Sequence, residues 1–543
     1  MAKKGRRGGR SPAGKAPGAK SAKSRITADA AMGIAGQHHR AGRFSQAEHV
    51  YRQILKAGPD HVAARNNLGV VLKIQGRLDD AIACYRRAIE INPDFTDAHC
   101  NLGNALYEQE RLDEAAACFR RAIEIDPECA KAHDSLGGVL DKQGRPDDAI
   151  ACFRRGLELH PDDAEAHNNL GVKQMEQGRA EAAIPSYRRA LEIDPDYADA
   201  HNNLGNALKS LGKLDEGMAR YRRAIEIRPD YADAHFNYAL ALLLAGDLVR
   251  GWTEHEWRWK RTTVTTHARD FSQPLWDGSR LDGRTILLHA EQGLGDAIQF
   301  IRYAAMVADR GGRVAVECHP LVRRLLAGVP GIDALIRQGR ELPPFDVHAP
   351  MLSLPMIFAT TLETIPGDVG YIRADGRLVE AWKDRLSGFA GRKVGLCWQG
   401  NPEFPGDRWR SIPLKYFAVL LDDPSSTFIN LHKGAGEGQI AECGLTDRIV
   451  NYSPQVKSLV DTAAIMENLD LVITSDTSVA HLAGAIGRPV WTLLQFMPDW
   501  RWLLERDDSP WYPTMRLFRQ ETRGDWEGVL ARVKRALDAY PAP

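Results

Sequence analysis

The residues of this 543-residue chain whose types and spacing best suit chemistry begin with Gly293-Leu294-Gly295-Asp296. An apolar run at 285–290 precedes them and an apolar helical pattern follows, so Gly293 and Gly295 read as a tight strand-to-helix turn. Asp296 then falls at a helix start, where its carboxylate would repel a phosphate. Two roles suit it there: a helix cap, or a general base that takes the proton from an attacking hydroxyl. The stretch lacks the Lys-Ser/Thr pair of a P-loop. Glu317 lies about twenty residues on, as a dinucleotide fingerprint asks, but Ile298 occupies the third glycine position.

A second stretch, Ser475-Asp476-Thr477-Ser478-Val479-Ala480-His481, follows an apolar run at 469–474 and enters a helix ending near Gly487. Free N–H groups at that helix start, with the Thr477 and Ser478 hydroxyls, predict an anion site. Thr477 and His481 are four residues apart and share a helical face. Two loops add cations: 400–411 carries Arg410, and 433–436 begins with Lys433. Each follows an expected strand, at the carboxyl edge where ligands bind in such sheets. A diphosphate leaving without a metal needs this kind of fixed positive charge and N–H donors.

The elements that must position these residues are alternating strands and helices, the pattern of α/β layers with parallel strands. Strands are expected near 285–290, 313–317, 345–349, 393–399, 427–433, 469–474 and 489–494, with helices at 379–386 and about 525–539.

Ahead of about residue 262 the sequence repeats every 34 residues. Pro59, Pro93, Pro127, Pro161, Pro195 and Pro229 keep that spacing, as do Leu68, Leu102, Leu136, Leu170 and Leu204, each followed by Gly. Tyr51, Tyr85, Phe119, Phe153, Tyr187 and Tyr221 form an aromatic column expected to fill the gaps between neighbouring hairpins. Six repeats fit residues 26–229, and a seventh runs into Trp252, Trp257 and Trp259. Asn67, Asn101, Asn169, Asn203 and Asn237 occupy one column of the first helices, broken by Ser135. Their amides suit either of two tasks: holding an extended polypeptide by its backbone, or bonding within and between helices. His99, His133, His167, His201 and His235 stand roughly 10 Å apart by helix spacing, too far to share an ion. Cys84, Cys118 and Cys152 recur with the same period and are expected as small buried packing residues.

At about 150 residues per domain, the length suggests three to four structural units. Basic and acidic side chains balance at 71 each, yet residues 1–28 hold nine basic residues and no acid. The remainder therefore has 62 basic against 71 acidic, a formal charge of −9, which argues against nucleic acid as a partner of the body. No apolar run is long enough for a membrane-spanning helix or resembles a signal peptide core. The eight cysteines show no CxxC or paired-ligand spacing, so neither a metal site nor disulfides are expected and a reducing cytoplasm is the default.

The 34-residue columns resemble the tetratricopeptide repeat. The stretches at 293–296 and 475–491 resemble glycosyltransferase family 9, heptosyltransferase-like enzymes with two Rossmann-like domains in the GT-B fold, over about residues 284–538. That resemblance implies Asp296 as the base, Asp476, Thr477, Ser478 and His481 as the donor-holding motif, and Arg410 as the phosphate-binding cation. Ser478 stands where the family usually has Gly, and the first α/β block is short, so heptose and lipopolysaccharide are not implied. Repeats followed by such a catalytic half are also similar in organisation, not in motifs, to O-GlcNAc transferases.

The expected fold is thus an α-solenoid followed by an α/β GT-B fold. Its divisions are a disordered basic tail (1–25), the repeat solenoid (26–262), a linker (263–283), an N-terminal Rossmann-like acceptor-side domain (284–385) and a C-terminal Rossmann-like nucleotide-sugar domain with a closing helix (386–543). The expected function is metal-independent transfer of a sugar from a nucleotide diphosphate-sugar, used as substrate rather than cofactor, to a hydroxyl, with a protein or peptide partner in the repeat groove. The competing expectation is a noncatalytic repeat scaffold whose transferase domain has lost turnover.

Overall fold

The computed structural model describes residues 27–261, 269, 271–291, 293–404 and 406–541. The tail expected at 1–25 lies outside them, as do 263–268 and 270 of the linker. The chain divides into two compact units, Met1–Ala166 and His167–Pro543.

In the first unit, helices pair as hairpins: Ala28–Arg40 with Phe44–Ala57, Val62–Ile74 with Leu78–Ile91, Thr96–Glu108 with Leu112–Ile125, and Ala130–Lys142 with Pro146–Leu159. Proline ends each second helix because it follows two residues after, where its ring and missing N–H cannot continue the ladder. The Leu-Gly column exists to admit an aromatic ring. A Cβ built on Gly69 would fall 2.5 Å from Tyr85 Cε1, and on Gly103 2.7 Å from Phe119 Cζ. These rings pack inside their own hairpin, which corrects the expectation that they fill gaps between neighbouring hairpins. Histidine serves the turns: a ring nitrogen of His99 lies 2.9 Å from the Pro93 carbonyl oxygen, and His133 repeats this with Pro127 at 3.2 Å. Cys84, Cys118 and Cys152 are half-buried, not buried as expected.

The second unit begins with the rest of Ala164–Glu176 and continues through the pairs to Ala180–Ile193, Ala198–Ser210 with Leu214–Ile227, and Ala232–Leu244 with Leu248–His255. Two parallel sheets follow. The first holds β1 (Thr285–His289), β2 (Arg313–Cys318), β3 (Ala334–Arg337) and β4 (Val347–Pro350), in the order β3-β2-β1-β4. The second holds β5 (Arg392–Cys397), β6 (Ser426–Asn430), β7 (Ile449–Val450), β8 (Leu471–Ser475), β9 (Val490–Leu494) and β10 (Met515–Arg519), in the order β10-β9-β8-β5-β6-β7. β3, β7 and β10 are edge strands that the apolar-run reading passed over. Their sequences are short or interrupted by Arg337, Arg516 and Arg519, as edges that must resist further pairing require.

Strand order reverses between β1 and β4 in the first sheet and between β5 and β8 in the second, the places where such sheets open a crevice. One hydrophobic core joins the last repeats to the sheets. Trp252 meets Trp500 edge-on, with centroids 5.0 Å apart, and Leu214, Tyr221, Phe300 and Trp511 belong to the same cluster.

Candidate functional site

Asp296 sits in the first turn of helix Leu294–Phe300, directly after β1. Its Oδ2 accepts from the Gly293 N–H at 3.0 Å, so the capping role is real. Its Oδ1 pairs with the Arg501 guanidinium, and the side chain is 16% exposed. Burial pushes its pKa above the usual carboxylate range, against the pull of Arg501. Gly295 is needed for space rather than for backbone freedom. A Cβ there would lie 2.8 Å from His481 Cδ2, so helix Leu294–Phe300 packs hard against helix Ser478–Ala485.

At the end of β8, Thr477 caps that second helix, its Oγ1 accepting from the Val479 N–H at 3.3 Å. Ser478 opens the helix, half-buried. The Asp476 carboxyl is pushed up to about 6 by burial and by Asp499, offset in part by Arg410 and Arg501. The buried Trp502 indole N–H, which also lowers the Asp476 pKa, has no hydrogen-bond partner among the described residues. His481, expected in the donor-holding motif, faces the helix after β1. It is buried, a ring nitrogen lies 2.9 Å from the Tyr512 hydroxyl, and burial together with Arg501 holds its pKa well below the usual imidazole value. His481 is therefore neutral and joins the helices rather than supplying charge.

Arg410 ends the short helix Asp407–Arg410 in the loop after β5. Its Nε donates to Asp407 Oδ1 at 3.0 Å, and its charge is felt by Asp296, Asp476 and His481. The loop is braced by Ser411, whose Oγ accepts from the Gly400 N–H at 3.0 Å and donates to Asp407 at 2.6 Å. It is also docked on the fifth repeat. Arg408 donates to the Glu176 carbonyl at 3.0 Å, and a Cβ on Gly178 would lie 2.7 Å from the Trp409 ring. Lys433 has a different neighbourhood: its Nζ donates to the Val456 carbonyl, and it lines a small cavity with Asn430, Ser453 and Thr462.

Arg501, which sequence reasoning passed over, is the most engaged side chain at this place. It lies in the turn Trp500–Trp502 beyond β9, donating through Nε to Gln299 Oε1 (2.6 Å), through Nη1 to Asp499 Oδ1 (2.8 Å) and through Nη2 to Asp296. The signal was an acid and a base two residues apart in a Trp-rich run at a third strand end.

The asparagine column is committed largely to the repeats themselves. Asn101 Nδ2 donates to Asn66 Oδ1 (3.0 Å) in the first unit; Asn203 donates to Asn168 (3.0 Å) and Asn237 to Asn202 (2.9 Å) in the second. Asn67 and Asn203 also accept from the residue before them, at 3.3 and 3.4 Å. The first three bonds run from repeat to repeat and the last two stay within a helix, together the second of the two tasks set out above. Among the described residues no group of three or more His, Cys, Asp or Glu could hold a metal ion, and no helix is long and apolar enough to cross a membrane.

The 34-residue helical hairpins have the form of tetratricopeptide repeats, and the second half of the chain carries two parallel sheets. The family model described as the Cilia and flagella-associated protein 70 C-terminal domain matches residues 10–240. Protein FlbA of Caulobacter vibrioides is 28% identical over 318 residues, covering 54% of this chain and 52% of FlbA. The chain thus spans about half the length of that curated relative. Among solved structures, YrrB, described as a TPR protein with an unusual peptide-binding site, is 26% identical with a TM-score of 0.30, over 34% of this chain and 95% of YrrB. PilF of Pseudomonas aeruginosa is 20% identical with a TM-score of 0.36, over 38% of this chain and 94% of PilF.

Proposed function

We propose that the α/β half is a GT-B-type glycosyltransferase that moves a sugar from a nucleotide diphosphate-sugar to an acceptor hydroxyl in the cytoplasm, and that the repeats engage a protein or peptide acceptor. The observation that carries this reading is the meeting of the post-β1 and post-β8 turns, Gly295 against the His481 ring and Asp296 beside Arg501. Each turn lies at the strand-order reversal of its own sheet, so a substrate bound between them would touch both. Asp296 is the base, kept ionisable by Arg501. Arg410, with the N–H groups at Thr477 and Ser478, stabilises the departing diphosphate; Lys433 serves the donor from the β6 side.

A panel of nucleotide-sugars, read by thermal stabilisation and by hydrolysis, tests the proposal, since a bound donor raises stability with its concentration over its dissociation constant. One member should stabilise the chain and be hydrolysed, and Asp296→Asn should lower turnover by roughly 10² to 10⁴ while keeping the stabilisation. A panel without any stabilising member would favour the second reading, a noncatalytic repeat scaffold. The closure of Arg501 on Asp296, which occupies the base, is the observation on its side.

A further inference from the structure

The two faces of the first sheet differ in kind. Ile286 and Leu288 of β1, Val314 and Val316 of β2 and Val347 and Ala349 of β4 belong to the hydrophobic core. The alternate residues point the other way, and His289, Glu317 and His348 among them are polar yet buried. The parallel register sets His289 beside Glu317 on that face, and a ring nitrogen of His289 lies 3.3 Å from one of His348. Burial, with His348 adding to it, pushes the His289 pKa down to about 3, and burial lowers that of His348 as well. Both imidazoles are therefore neutral at pH 7, and Glu317 is the acid of the cluster.

Phe271 walls this cluster, its ring edge-on to His289 and His348 with centroids 5.6 and 4.8 Å away. One cation enters it: Arg269 of the linker, whose Nη2 lies 2.7 Å from Glu317 Oε2. The fit is incomplete. Glu317 is 1% exposed, yet among the described residues its Oε1 has no partner, and its Oε2 meets Arg269 as an ion pair without the alignment of a hydrogen bond. A buried carboxylate oxygen left without a donor is costly. A planar guanidinium approaching squarely would serve both oxygens at once, and it gives up its hydration more readily than an ammonium does. The Arg269 side chain keeps 28% of its surface in solvent, so the site it fills is open to exchange from outside.

We propose that Glu317, flanked by His289, His348 and Phe271, forms a guanidinium-binding site at the carboxyl edge of the first sheet, in which Arg269 stands in for an arginine side chain of a polypeptide partner. The partner's arginine displaces Arg269 and takes both carboxylate oxygens. This goes beyond the transferase reading, because the site binds arginine whether or not the sheets transfer a sugar.

The test uses the full chain with two probes, N-acetylarginine amide and its uncharged counterpart N-acetylcitrulline amide, read by melting temperature. The tethered Arg269 competes at an effective concentration on the order of millimolar, so each probe is titrated to roughly 50 mM. The arginine probe should raise the melting temperature of the parent and the citrulline probe should not, a comparison that needs no variant. Arg269→Gln, which withdraws the competitor, should bind the arginine probe at least about tenfold more tightly than the parent, and Glu317→Gln should abolish the response. A parent indifferent to the arginine probe would show a fixed structural ion pair and overturn the inference, even if Arg269→Gln responds. Equal responses to the two probes, or a response that survives Glu317→Gln, would overturn it as well.

Discussion

Arg501, from the loop beyond β9, closes on Asp296, from the turn after β1, and so ties the carboxyl edges of two separate sheets through one ion pair whose side chains are 10% and 16% exposed. Neither charge has much access to water, so each depends on the other. Arg501→Met should therefore destabilise the second unit by about 3–5 kcal/mol, the usual result of leaving a buried charge alone. Adding Asp296→Asn should recover part of the loss. Melting temperatures of the parent, both single variants and the double variant give the coupling, and simple additivity would show that the pair contributes nothing.

Gly295→Ala puts a methyl group 2.8 Å from His481 Cδ2. Overpacking of this kind costs about 1–3 kcal/mol. Combining it with His481→Asn, which removes the ring carbon in the way, should restore part of the lost melting temperature. A lone Gly295→Ala as stable as the parent would mean that the two helices are free to separate.

Asp134 lies in the first unit with its carboxyl pushed up to about 7 by burial, with Asp163 and Glu165 adding to the effect. A carboxyl raised above its unfolded value of 3.8 favours the folded state while it is protonated. Its contribution is present in full below pH 4 and is lost as the pH rises towards 7. Asp134→Asn should remove that slope, so the variant gains on the parent between pH 5 and pH 8 in thermal melts. An unchanged difference at the two pH values would show that Asp134 is ionised throughout.

The hairpin turns of the repeats use a left-handed residue, Gly76 at φ +77° and Gly144 at φ +74°, but the turn between them uses Glu110 at φ +58°. A side chain there crowds the backbone, and glycine does not. Glu110→Gly should stabilise the first unit by about 0.5–1 kcal/mol. A lower melting temperature would mean that the Glu110 side chain contributes more than its backbone strain costs.

The repeats were legible because every hairpin meets the same packing demand and writes it again 34 residues later. The asparagine column showed the limit of such reading: periodicity located Asn101, Asn203 and Asn237, but it is the stacking of the helices that brings their donors to Asn66, Asn168 and Asn202 of the preceding repeat. Turns after the apolar central strands were legible because an apolar run followed by glycine or an acid is distinctive. Edge strands β3, β7 and β10 were not, since an edge strand carries little apolar pattern. Arg501 was missed for another reason: its partners Asp296 and Gln299 lie some two hundred positions away, and no local pattern specifies them.

Repeat arrays ordinarily lengthen or shorten by whole hairpins, because each contacts only its neighbours. Here the turn glycines of three successive repeats each face a fixed feature of the α/β half: Gly178 meets Trp409, Gly212 meets Phe496 and Gly246 meets Leu362. The three contacts set a ruler with 34-residue graduations. A hairpin inserted or deleted anywhere between Gly178 and Gly246 would move a turn off its mark and unseat a loop of the sheets. The array can vary in length only on the amino-terminal side of Gly178, so this protein and any relative that keeps those contacts must share the spacing of their last three repeats.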